Sequence, residues 1–80
     1  MSAVDDFRAE ALFVSDLQPS AHPAWEQVRD TVHEVAFRLG ELMCSERVAT
    51  EFGDHPAAAC ERMAWCLAAV KSAFDLAGAR

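Results

Sequence analysis

Residues 25–43 read WEQVRDTVHEVAFRLGELM. In this stretch Trp25, Val28, Val32, Val35, Ala36, Leu39, Leu42 and Met43 recur at steps of three and four. At about 100° per residue they cover roughly a third of a helical wheel, the width of a core-facing stripe. Glu34 and Arg38 stand one turn apart on the opposite face, in the order that supports a helix. The stretch therefore predicts an amphipathic helix and a helical fold. It is expected to stop at Gly40, because glycine inside a helix costs about 1 kcal/mol against alanine, or to run on to Met43.

Two similar segments flank this helix. Ser20-Ala21-His22-Pro23-Ala24 precedes it and Gly53-Asp54-His55-Pro56-Ala57 lies downstream. Each sets a small or acidic cap residue and a His-Pro step before an apolar-periodic run, and both read as helix starts. Reused capping chemistry explains the likeness without a duplication.

Upstream, a first helix is expected from Ala3 to Leu17. Ser2 would cap it, with Asp5 and Asp6 in the first turn. Val4, Phe7, Ala11 and Val14 share one face, and Pro19 stops the run. Downstream, Ser45 is expected to cap a short third helix bearing Val48, Ala49 and Phe52, which Gly53 would end in a left-handed conformation. A fourth helix begins around His55, with Pro56 as its first helical residue, and reaches about Ala77. Ala59, Met63, Cys66, Leu67, Val70 and Phe74 form its apolar face. No segment alternates with period two, so no sheet is expected. The expectation is an all-α, four-helix single domain spanning residues 1–80.

Composition agrees. Alanine occurs sixteen times, and Ile, Asn and Tyr are absent. High alanine with few β-branched residues favours helix. At 52% hydrophobic and 25% charged, the chain is too apolar for disorder. Eighty residues bury only about 60–65% of the surface they expose unfolded, so a second copy or a partner would add stability. The net charge of −6 repels phosphate backbones and anionic membranes, making nucleic-acid binding an unfavoured role. No apolar run is long enough to span a bilayer, and Asp5 and Asp6 stand where a signal peptide wants cations. Three cysteines without framework spacing suit reduced thiols in a cytoplasmic protein.

Residues 47–67 resemble a helix-turn-helix of the kind found in region-4-like domains of sigma factors. Val48, Ala49, Phe52 and Gly53 match the first helix and its turn glycine, and Gly53, Pro56, Arg62 and Met63 match the start of the second helix. The pattern needs a small residue where two helices cross and a turn residue tolerant of positive φ. The resemblance implies candidate DNA contacts at Arg47, Arg62 and Lys71. The chain departs from it at Asp54, where the motif is apolar, and at Ala57, Ala58, Cys60 and Glu61, where a recognition helix presents hydrogen-bonding side chains. More broadly the chain resembles small helical proteins of actinobacterial type, which share the Ala11–Gln18 opening and the Phe-Gly-Asp-His-Pro turn. That likeness implies no activity.

Neither a metal nor a cofactor is expected. Cys44, Cys60, Cys66, His22, His33 and His55 include no Cys-x-x-Cys and no ligand pair one turn apart. No glycine-rich phosphate loop is present, and Glu26, Asp30 and Glu34 are spaced as a wet helix face, not as an acid–base couple. No catalytic residues are expected and the chain is read as a non-enzyme.

Six apolar residues fall off the stripes. Phe13 and Leu17 sit behind the main face of the first helix, Phe37 off the stripe of the second, one turn after His33, and Trp65, Ala69 and Leu76 on the rear of the last. They close a second core layer or form an exposed patch for a homodimer or protein partner. The expected function is a protein–protein interaction or self-associating module. The alternative is a transcription-related helix-turn-helix module that reaches DNA through a dimer or a partner.

Overall fold

The computed structural model describes residues 3–78, with side chains as far as Asp75. Ser2, expected to cap the first helix, lies outside them. The described chain forms three α-helices, α1 (Ala3–Val14), α2 (Trp25–Asp54) and α3 (Pro56–Gly78), with a 3-10 turn at Pro19–Ala21. No strand occurs among the described residues. A radius of gyration of 11.8 Å is that of a folded chain of this length.

The four-helix expectation is corrected to three because Gly40 does not open a loop. It takes φ 80° and ψ 170° inside α2, and helix continues on both sides. These angles are essentially restricted to glycine. A single residue absorbs the change of direction, so Ser45 has no helix start to cap and lies exposed in mid-helix. Gly53, expected in a left-handed turn, is helical instead, and Gly40 is the glycine with positive φ.

The kink also resets which face is buried. Before it the buried positions of α2 are Val28, Val32 and Val35; after it they are Cys44 and Val48, with Phe52 half-buried. On one uninterrupted helix these sets would face opposite sides, about half a turn apart. Leu42 and Met43, which continue the first stripe in sequence, are therefore turned out to solvent. The trailing half of α2 buries a second stripe at steps of four.

The core lies between the three helices. Leu12, Val32, Val35, Val70, Cys44 and Cys66 are its largest fully enclosed side chains. Phe13 stacks on Phe52 with ring centroids 6.0 Å apart, tying α1 to the end of α2. At the other end the Arg8 guanidinium lies 3.9 Å from the Phe74 ring centroid, with Arg29 at 5.3 Å and His33 edge-on at 5.8 Å. These contacts join all three helices around one ring. The Glu34–Arg38 pair forms as its spacing predicts, at 2.8 Å on the exposed face.

The helix ends differ in part from expectation. α1 stops at Val14, not Leu17, with the Ser15 hydroxyl donating to the Leu12 carbonyl at 2.6 Å. α2 starts after Ala24, which offers no side-chain cap, and His22 takes φ 47° to close the 3-10 turn instead of capping the helix. His55 alone separates α2 from α3. Its N–H donates to the Glu51 carbonyl and its own carbonyl accepts from the Ala59 N–H, both at 2.8 Å. Pro56 is the first residue of α3, where its missing N–H costs nothing.

Candidate interaction surface

Exposed large apolar side chains concentrate beside the kink. Phe37 is 95% exposed, Leu42 75% and Met43 42%. All three lie within seven residues of α2 and bracket Gly40. The charged neighbours Glu34, Arg38 and Glu41 are also exposed. Met43 also lines a groove of about 560 Å³ between α1, the trailing half of α2 and the start of α3. Phe13, Val14, Ala58 and Ala59 supply its apolar wall, and Glu46, Arg47 and Arg62 are among its polar lining.

The side chains singled out from sequence scatter. Phe13 is buried against Phe52 and belongs to the core. Leu17, Trp65 and Ala69 are half-buried and pack on that core. Trp65 and Ala69 line a cleft of about 500 Å³ with Trp25 and Pro19. Leu76's side chain lies outside the described residues. Phe37 is left as the one large exposed ring among those described. Leu42 and Met43 escaped sequence reasoning because they extend the stripe of residues 25–39. The signal that could have found them is the second stripe, Cys44, Val48 and Phe52, which runs out of phase with the first.

The candidate DNA contacts are likewise divided. Arg47 and Lys71 are exposed. Arg62 turns inward and donates to four carbonyls at the end of α1: Phe13 at 2.9 Å from Nε, and Leu12, Ser15 and Leu17 at 3.2, 3.0 and 3.0 Å from one terminal nitrogen. The helix-turn-helix shape does not form as read. Its first helix is the tail of α2, its turn glycine is helical, and Ala49 is exposed where the motif needs a crossing contact.

No known protein family, curated protein or solved structure matches the chain.

The chemistry within the fold is quiet. Among the described residues no three His, Cys, Asp or Glu side chains gather to hold a metal. Cys44 and Cys66 are buried and Cys60 is exposed, all as free thiols. Burial pushes the Cys66 thiol up to about 11 and raises that of Cys44 as well. The Glu10 carboxyl is also raised above its ordinary value, first because it is partly desolvated and then because Asp6 and Glu41 lie near. Among the described residues no helix is long and apolar enough to cross a membrane.

Proposed function

We propose that this chain is a small helical protein–protein interaction module that self-associates through the exposed apolar side chains Phe37, Leu42 and Met43 around Gly40. The observation that carries the reading is the 95% exposure of Phe37 beside two further exposed apolar side chains. Leaving a phenylalanine in water forfeits about 1.5–3 kcal/mol that burial would return. A thin core adds to the motive, since a second copy covers surface that eighty residues cannot cover alone. Free thiols at Cys44, Cys60 and Cys66 favour the reducing cytoplasm as the compartment.

The test is sedimentation velocity from low to high micromolar protein, comparing the chain with its Phe37→Asp variant. The expected result is a concentration-dependent homodimer that the substitution abolishes while the helical circular dichroism stays. A strictly monomeric chain over that range would remove the reading. Trp65→Asp is a poor probe, because Trp65 packs on the core and its loss would perturb the fold.

A further inference from the structure

We propose that Gly40 is the hinge of an exchanged dimer, in which residues after Gly40 of one chain pack on residues before Gly40 of a second copy. This rests on the self-association reading above and names how the copies join.

Gly40 divides the chain into two helical hairpins. The first pairs α1 with the leading half of α2 across His22-Pro23, and the second pairs the trailing half of α2 with α3 across His55-Pro56. The contacts that close the molecule run between the hairpins. Arg62 holds the end of α1, Phe13 stacks on Phe52, and Arg8, Arg29 and His33 surround Phe74. Every one of them can be remade between two chains with unchanged geometry, so exchange sacrifices none.

What exchange changes is the hinge. In the closed chain Gly40 holds φ 80° and ψ 170°, between two segments that are both helical. A one-residue hinge of this kind invites swapping, because the open form continues the helix through Gly40 and adds the backbone hydrogen bonds that the kink interrupts. Nothing lies within 4 Å of a Cβ placed at Gly40, so no neighbour blocks the change. A straight α2 of 30 residues is about 45 Å long. That exceeds the 40 Å longest extent of the closed molecule, so the released hairpin is carried beyond its own partner. Straightening also returns Leu42 and Met43 to the stripe of residues 25–39. Two such rods crossing near Gly40 bring Leu42 and Met43 of both copies together, which covers two of the apolar side chains that the closed chain leaves wet.

The experiment uses the full chain refolded from denaturant at low and at high concentration, then separated by size exclusion with light scattering. Val14→Cys and Ala58→Cys in a Cys60→Ser background place one thiol on each hairpin, on opposite walls of the groove between them. A short bismaleimide then reports on connectivity. The expected result is a dimer after concentrated refolding whose link joins two chains on a denaturing gel, while the monomer's link stays within one chain. Gly40→Ala should favour the dimer by about tenfold or more in association constant. Two glycines inserted after Gly40 should return the chain to monomer. A dimer whose links stay within single chains would overturn exchange and leave self-association standing. A chain monomeric after concentrated refolding would overturn both. If Gly40→Ala fails to fold, the wild-type cross-link and the glycine insertion still decide.

Discussion

The Nε of Arg62 donates to the backbone carbonyl of Phe13 at 2.9 Å, across 49 residues of sequence. The same guanidinium reaches the carbonyls of Leu12, Ser15 and Leu17, so one side chain of α3 serves as the C-terminal cap of α1. The last carbonyls of a helix lack partners within it and carry the negative end of its dipole. A planar fork of donors answers both needs at once. α1 has no basic residue in its own last turn, so the cation has to come from elsewhere.

Arg62→Ala is therefore expected to destabilise the chain by about 2–4 kcal/mol, since it strips several partly buried carbonyls of their donor. Arg62→Lys should recover less than half of that loss, because an ammonium cannot span the same acceptors. Urea unfolding followed by circular dichroism measures both.

The two internal glycines should respond in opposite directions. Gly53 is helical with open space around a Cβ, so Gly53→Ala should stabilise by about 0.5–1 kcal/mol. Gly40 holds a positive φ, so Gly40→Ala should cost the closed monomer about 1–3 kcal/mol. Thermal melts at low protein concentration separate the two effects from any change of oligomeric state.

Glu10→Gln should raise the melting temperature at pH 7. The folded chain holds the Glu10 proton more tightly than the unfolded chain, whose carboxylate titrates near the ordinary value of 4.5. Folding then takes up a proton between that value and the raised one, and stability falls as pH rises through this window. Above the window the charged carboxylate bears its full penalty from desolvation and from Asp6 and Glu41. The gain from the amide should be a few degrees at most and should fade as the pH drops below 4.5. Melts of both forms from pH 4 to 8 give the comparison.

One thiol should react in the native state. Cys60 is exposed, whereas Cys44 and Cys66 are buried with raised pKa values, Cys66 to about 11. Thiolate is the reactive form. An aromatic disulfide reagent at pH 8 should release one equivalent of chromophore from folded protein and three in guanidinium chloride. More than one fast equivalent in the native state would show that the core opens readily around Cys44 or Cys66.

The helices themselves were legible residue by residue. The run of valines at 28, 32 and 35, the Glu34–Arg38 pair and the start of α3 at Pro56 all stand where local spacing puts them. Ala59, Cys66 and Val70 are buried as their stripe requires. The candidate surface was legible at Phe37, which sits off its stripe, and illegible at Leu42 and Met43, which sit on it. A stripe drawn on a regular wheel assumes one continuous phase, and Gly40 breaks that phase.

The amino-acid order alone thus determined that this chain is helical, where Pro19 and Pro56 punctuate it, and which face most of each segment hides. Those properties follow from dihedral preferences and a 3.6-residue repeat, which act between near neighbours. The tertiary structure decided the number of helices, the exchange of roles between Gly40 and Gly53, and the inward turn of Arg62. Each of those is settled by contacts 45 to 50 residues apart or by a single φ that rotates everything after it, and neither leaves a mark in local periodicity.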